Sequence, residues 1–354
     1  MRRRLFLITP LLLGARVASA EAAFAQVERG TNVELPRDHG SHPSFRTEWW
    51  YVTGVAGPAD AEIGVQITFF RSRPGVAETE NSRFAPRQLL FAHAALALPE
   101  RGRLIADQRA ARAGFALAEA SEQTTDVRID DWALVLNSDV YAARILARDF
   151  TMALEFRMTQ APLLQGDDGV SRKGPLAAQA SYYYSIPQLA MTGTIAVDNR
   201  ERKIAGSGWL DHEWSSAYLA PEARGWDWTG INFDDGSALM AFRIRDRAGH
   251  PFWAGGAFRD RSGHRMVFKR DDVRFEPLRG WRSPRTNIDY PIVMRVRAGE
   301  LDFVLDPLFD DQEEDARATV GTIYWEGAVR VHSGKSRVGR GYLELTGYGE
   351  PLRL

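Results

Sequence analysis

A diverged internal duplication constrains this chain more than any local propensity does, because a repeat sets how many times one structural unit is built. Trp50-Tyr51-Val52-Thr53-Gly54 returns as Trp226-Asp227-Trp228-Thr229-Gly230. Downstream of each, Arg71-Ser72-Arg73-Pro74-Gly75 returns as Arg245-Asp246-Arg247-Ala248-Gly249. The ends match as well: Gly206-Ser207-Gly208-Trp209-Leu210-Asp211 is echoed by Gly339-Arg340-Gly341-Tyr342-Leu343-Glu344. Matches in one order make two copies of a unit, expected over 30–217 and 218–354. The join falls between Trp214 and Gly225, where Ala220-Pro221-Glu222 interrupts the pattern. The first copy is the longer, and its surplus lies in 104–122 and 162–175. Such insertions commonly form loops on one face of a repeat, often the binding face.

Within each copy the hydrophobic pattern has period 2, as in Ile63-Gly64-Val65-Gln66-Ile67-Thr68-Phe69 and Asp131-Trp132-Ala133-Leu134-Val135-Leu136. Turn signals such as Asp234-Asp235-Gly236 and Arg261-Ser262-Gly263 punctuate it, so the chain reads as all-β. The stretch Leu104 to Glu122, rich in Ala, Arg and Glu, reads as a short helix interrupted at Gly114. Pro162 to Pro175 reads as a long loop, and Gly206-Ser207-Gly208 as a strand bulge. Antiparallel strands in units of this size close into barrels or sandwiches, which removes exposed edges, and a small closed barrel can hold one apolar ligand.

Composition narrows the function classes. A formal net charge of -1 with 26% charged residues leaves no basic excess for a phosphate backbone, so nucleic acid is not an expected partner. The absence of cysteine removes disulfides, thiolate metal sites and a Cys nucleophile. Arg2-Arg3-Arg4, the apolar run Leu5 to Leu13 and the small residues that follow read as an export signal over 1–25 of the twin-arginine or general type. Ala18-Ser19-Ala20 and Ala23-Phe24-Ala25 are both possible cleavage sites. No later stretch approaches the ~18 uninterrupted apolar residues of a membrane span. The expected location is periplasmic or secreted, with no transmembrane segment in the mature chain.

Candidate chemistry concentrates in Asp211-His212-Glu213-Trp214. On a strand His212 and Trp214 share one face while Asp211 and Glu213 share the other. The duplication aligns Leu210 with Leu343, Asp211 with Glu344 and His212 with Leu345, so His212 stands where the second copy has a plain hydrophobe. A polar group in such a place is paired or serves a purpose. Burial would lower its pKa and a carboxylate would raise it, which suits proton transfer near neutrality; the plain alternative is a core His bonded to a backbone carbonyl. In Glu48-Trp49-Trp50-Tyr51, Trp49 and Tyr51 fall on one face and Trp50 on the other. Trp50 and Trp226, present in both copies, read as shared scaffold. Ser181-Tyr182-Tyr183-Tyr184-Ser185 cannot turn all three phenols inward, so at least one hydroxyl reaches solvent or a cavity. His93 is a lone His among apolar residues. No metal centre is expected, because Asp211, His212 and Glu213 cannot converge on an ion without distant help from His93 or Glu48. No G-x-S-x-G, H-E-x-x-H, P-loop or dinucleotide fingerprint is present.

Glu48-Trp49-Trp50-Tyr51 with Thr53-Gly54, Ser181-Tyr182-Tyr183-Tyr184 and Gly208-Trp209-Leu210-Asp211-His212-Glu213-Trp214 resemble the lipocalin-like family of carotenoid 1,2-hydratases and AttH-type secreted proteins, from about Leu35 to Tyr348. The resemblance implies two tandem lipocalin-like barrels with an apolar cavity near their junction. It also implies cofactor-free addition of water to a terminal double bond of an apolar isoprenoid or lipid. In that chemistry an acid protonates the alkene, aromatic faces steady the tertiary cation and water captures it. The carry-over gives proton handling to His212, with Asp211 or Glu213 as partner. Substrate contact falls to Trp214, Trp49, Tyr51, Tyr183, Trp228 and His93, with Trp226 a further candidate. The alternatives are a carrier of an apolar ligand working with a membrane transporter, and a secreted lipid-ester hydrolase.

Overall fold

The computed structural model describes residues 24–352 apart from 77, 79–81 and 83. The export segment expected over 1–25 therefore lies outside the described residues except at Phe24 and Ala25. Two antiparallel sheets account for the described chain. The first runs, in spatial order, through Ile105–Arg112, Leu89–Ala97, Ile63–Ser72, Thr47–Ala56, Arg200–Ser215, Ala180–Val197, Phe150–Arg157, Val140–Leu146, Trp132–Asn137, Asp126–Ile129 and Ala118–Ala120. The second runs through Arg265–Phe268, Pro251–Arg259, Ala238–Asp246, Ala223–Phe233, Ser336–Leu345, Thr322–Ser333, Leu301–Pro307, Asp289–Ala298 and Val273–Arg282. In both, the opening strand (Thr47–Ala56 or Ala223–Phe233) pairs with the closing strand (Arg200–Ser215 or Ser336–Leu345), which is why the duplicated motifs sit at the two ends of each copy.

Each sheet curls until nearly closed, giving two lipocalin-like barrels. In the first, Ile105–Arg112 at one end of the path comes against Asp126–Ile129 near the other. Period-2 alternation drives this: in Phe150–Arg157, Phe150, Met152, Leu154 and Phe156 are buried and the residues between them exposed. Sequestering a side chain of this kind contributes roughly 1.5–3 kcal/mol. Among the described residues no helix is long and apolar enough to cross a membrane, and the helical pieces are 3-10 turns at Arg37–His39, Pro99–Arg101 and Arg270–Asp272.

The helix expected over 104–122 does not form. Its first half is the strand Ile105–Arg112, paired residue by residue with Leu89–Ala97, and Gly114 turns the chain into Ala118–Ala120 with φ +95. Alanine-rich propensity is worth tenths of a kcal/mol per residue, and the open edge of Leu89–Ala97 offers a full hydrogen-bond ladder instead. The bulge expected at Gly206-Ser207-Gly208 is also absent, since the register with Thr47–Ala56 runs unbroken through Gly206. A Cβ on Gly206 would lie 2.1 Å from the Val55 carbonyl oxygen, so the glycine serves close strand approach. The irregularity lies one strand away, between Ile186 and Leu189, where Pro187 cannot donate to the ladder. The 162–175 loop is partly stranded: Leu163–Leu164 and Val170–Arg172 strap onto the tyrosine strand.

The barrels dock through a shared apolar seam that includes Tyr51, Val55, Trp209, Trp228, Met240, Phe242 and Tyr342. At Gly230 a Cβ would meet the Trp209 indole at 2.9 Å, so the backbone of one barrel lies directly against a ring of the other. Polar ties flank the seam. Asn232 Nδ2 donates to the Gly208 carbonyl at 2.8 Å, and the buried Glu62 of the first barrel meets Arg330, Arg337 and Arg340 of the second.

Candidate active site

Parity in the closing strand of the first barrel decides what each polar residue can touch. Leu210 and Trp214 point into the barrel core, and His212 lies with them against Trp50 and Trp214. Trp209, Asp211 and Glu213 point outward. Outward does not mean toward water, because the second barrel covers that face and leaves a cavity of about 480 Å³ between the two. Trp49, Tyr51 and Tyr183 from the first barrel and Trp226, Trp228 and Tyr324 from the second form its aromatic walls. Asp211, Glu213, Glu326 and Glu344 line it too, together with Arg317 and Thr319 to Thr322.

Asp211 is held by cross-strand neighbours. It sits opposite Ser185 on one side and Tyr51 on the other. Ser185 Oγ donates to Oδ1 at 2.5 Å, Trp209 Nε1 to Oδ1 at 2.8 Å and Tyr183 Oη to Oδ2 at 2.5 Å. Tyr183 Oη in turn accepts from Trp228 Nε1 of the second barrel at 3.0 Å. Burial pushes the Asp211 carboxyl up to about 7, against the pull of its three donors. Glu213 faces the same cavity in a different setting. Lys173 Nζ, brought by the 162–175 strap, lies 2.8 Å from its Oε1, and Ser181 Oγ also donates to it. Burial raises Glu213 and the ammonium pulls it back, while burial lowers Lys173. Lys173 is enclosed by rings, with Phe242 at 4.1 Å and Tyr183 at 4.8 Å.

The second barrel contributes Glu344, which accepts from Trp226 Nε1 at 2.8 Å and which burial raises to about 7. Glu326 stands directly opposite it on the neighbouring strand, raised well above the ordinary glutamate value by burial and by the Glu344 charge. Behind this wall, His93 Nδ1 lies 2.8 Å from Tyr324 Oη and its Nε2 lies 2.8 Å from Thr319 Oγ1. Burial lowers His93 to about 3, so it is neutral.

His212 belongs to a separate network inside the first barrel. Its Nε2 lies 2.9 Å from Glu48 Oε1 and its Nδ1 lies 3.0 Å from Tyr184 Oη, which also meets His39 Nδ1 at 2.8 Å. His42 Nδ1 reaches Glu48 Oε1 at 2.7 Å, and Arg71 Nε donates to Oε2 at 2.7 Å. Burial would raise Glu48, but Arg71 and the two imidazoles hold it well below its ordinary value. Burial lowers His212 against the pull of Glu48. The donor atoms of His42, Glu48 and His212 lie within 4.8 Å of one another, a set that could take a metal ion. Hydrogen bonds already account for that convergence, since both imidazoles address the same carboxylate oxygen and a guanidinium occupies the other.

The expected site residues therefore separate. Asp211, Glu213, Trp49, Tyr51, Tyr183, Trp226 and Trp228 line the cavity. His212 does not meet Asp211 or Glu213; strand parity puts them on opposite faces, and its partners are Glu48 and Tyr184. Trp214 is likewise inside the barrel, stacked on His42 at 3.7 Å, and His93 stands behind the lining. The pairing of Trp50 with Trp226 as shared scaffold is one residue out. Tyr51 faces Asp211 across the ladder as Trp228 faces Glu344, which equates Trp226 with the cavity residue Trp49, while Trp50 stacks on His212 in the core. Sequence reasoning missed Glu344 and Glu326 as site residues, although the alignment of Asp211 with Glu344 carried the signal for the first. Nothing in the sequence marked Lys173 or His42.

The sequence model of the AttH-like family matches residues 26–348. A Nitrosomonas europaea protein named as a candidate AttH, known from its crystal structure, has a TM-score of 0.86 at 49% identity, covering 92% of this chain and 100% of that one. Kievitone hydratase from Nectria haematococca has a TM-score of 0.68 at 14% identity over 92% of this chain and 96% of its own. CghA with Sch210972 has a TM-score of 0.57 at 15% identity over 93% and 98%. At those identities the likeness is one of fold. No curated protein matches the chain.

Proposed function

The chain belongs to the AttH-like family, and from that premise we propose that it is a hydratase-like enzyme, adding water to a terminal double bond of an apolar isoprenoid or related lipid held between the barrels. The observation that carries the reading is Asp211: a carboxyl group on the wall of an aromatic cavity, raised by burial to about 7 and thus still protonated in part near neutrality. Such a group can act as a general acid where an ordinary aspartate cannot. Its proton goes to the less substituted carbon of the terminal double bond, the tertiary cation forms on the other carbon beside the indoles of Trp49 and Trp228, and a water molecule adds to it. The proton lost by that water goes to Glu213, whose Lys173 partner favours the charged form. The kievitone hydratase fold is compatible with this chemistry.

In this reading His212 is a positioning residue, acting through Glu48, which borders the cavity. The units 30–217 and 218–354 each supply one wall, and the export signal over 1–25 would place the protein in the periplasm or outside the cell. One observation favours a second reading, a carrier for a membrane transporter: both oxygens of Asp211 already have donors without a ligand. Incubation with a neutral isoprenoid alkene in isotopically labelled water, followed by mass spectrometry, separates the two. Label in a tertiary alcohol, lost in Asp211→Asn, supports the enzyme; bound but unchanged alkene refutes it in favour of carriage.

A further inference from the structure

We propose that the second barrel's wall of the cavity is a seat for a cation, so that the natural ligand carries a protonated amine or quaternary ammonium group on an apolar body. The proposal rests on the cavity being the ligand site, as above, but not on the reaction assigned to it.

Glu326 and Glu344 lie directly opposite each other on Thr322–Ser333 and Ser336–Leu345, both facing the cavity. Two ionised carboxylates in that position would repel, and burial accordingly pushes both toward the protonated form; a cation seated between them would replace that proton and let both ionise. The basic side chains at the cavity do not serve them. Arg71 is committed to Glu48, Arg317 to Asp315 and Lys173 to Glu213. Trp226 Nε1 gives Glu344 a neutral donor, but Glu326 Oε1 has no hydrogen-bond partner. Tyr51 Oη lies beside Glu326 without meeting hydrogen-bond geometry and is unpartnered as well. These two residues are 3% and 7% exposed, so water outside the protein does not satisfy them.

What surrounds the pair fits a cation rather than a second hydrogen-bonding chain. Trp226, Trp228, Tyr51 and Tyr324 present rings to the same space. Aromatic faces backed by carboxylates are the arrangement that recognises ammonium groups, because ring quadrupoles attract the charge while excluding water. An alkyl or isoprenoid body would extend along the remaining aromatic wall, past Trp49 and Phe70.

Calorimetric titration of the protein with octyltrimethylammonium, octan-1-ol and octyl sulfate holds the tail constant and varies the charge. The cation should bind at least about tenfold more tightly than the alcohol, with the sulfate weakest. Glu326→Gln and Glu344→Gln, singly and together, should erase that preference while leaving affinity for the alcohol. Circular dichroism checks the variants' fold, and the wild-type order tests the proposal should the double variant fail to fold. Equal binding of alcohol and cation by the wild type overturns it, as does a preference that survives in the folded Gln variants. Hydration of a neutral alkene without cation preference would overturn this inference alone, and cation preference without product would overturn only the enzymatic reading.

Discussion

Asp211→Asn tests the electrostatic core of the cavity by stability alone, without knowledge of the substrate. An unfolded chain releases the Asp211 proton near the ordinary value of 3.8, and the folded protein holds it to about 7. Between those limits the folded state binds more protons than the unfolded state. Its stability relative to a non-titrating side chain therefore falls as pH rises from about 4 to about 7, and levels off above. At about 1.4 kcal/mol for each pH unit, the full interval amounts to ~4 kcal/mol, of which ~2.5 kcal/mol accrues between about pH 5 and about pH 8. Asparagine escapes this. Its amide mismatches one of the donors from Ser185, Trp209 or Tyr183, a loss of ~1 kcal/mol that does not depend on pH and so cancels in the comparison. Removing the Asp211 charge also relieves part of the upward pull on Glu344, which moves the result the same way. Urea unfolding followed by tryptophan fluorescence should show Asp211→Asn gaining ~2.5 kcal/mol on the wild type between about pH 5 and about pH 8. A difference that stays constant across that range, or moves in favour of the wild type, would refute a buried, upshifted Asp211.

Lys173→Met leaves Glu213 buried without its cation and should destabilise the fold by ~3–5 kcal/mol in the same assay; adding Glu213→Gln should restore more than half of that, and no rescue would mean that the ion pair is not the cause. His93 titrates with the opposite sign to Asp211, because burial lowers it from 6.5 to about 3 and the unfolded chain binds the extra proton between those values. Wild-type stability should consequently drop by ~2 kcal/mol between about pH 7.5 and about pH 5 through this group, and His93→Gln, which can still reach Tyr324 and Thr319, should remove that share of the acid sensitivity. An unchanged pH profile in the variant would show that His93 is not held neutral.

The equivalence of Asp211 and Glu344 gives the duplication a functional meaning. Each copy ends on a strand whose outward carboxylate faces the other copy, so two repeats docked seam to seam bring acids from both into one cavity. They have since diverged in their surroundings. The first is held by Tyr183, Ser185 and Trp209 and stands beside the Lys173 pair, while the second stands opposite another carboxylate.

Period and self-similarity were enough to determine an all-β chain with duplicated end motifs, and to sort Asp211 and Glu213 from His212 and Trp214, because side chains alternate strictly along a strand. Alternation also separates Tyr183 from Tyr182 and Tyr184, but which of them faces the cavity came only with the structure, which places Tyr183 on the cavity wall and Tyr182 and Tyr184 in the barrel interior. What alternation cannot say is which medium each face meets. The outward face of the closing strand became the cavity only because the second barrel docks on it, and that docking depends on surface fit between segments far apart in the chain. The partners of His212 were hidden for the same reason: Glu48 and Tyr184 reach it through ladder register, and Lys173 arrives on a strap whose sequence has no strand period. Local pattern settled which residues travel together along each strand. Tertiary packing decided that the acids, and not the histidine, line the cavity between the barrels.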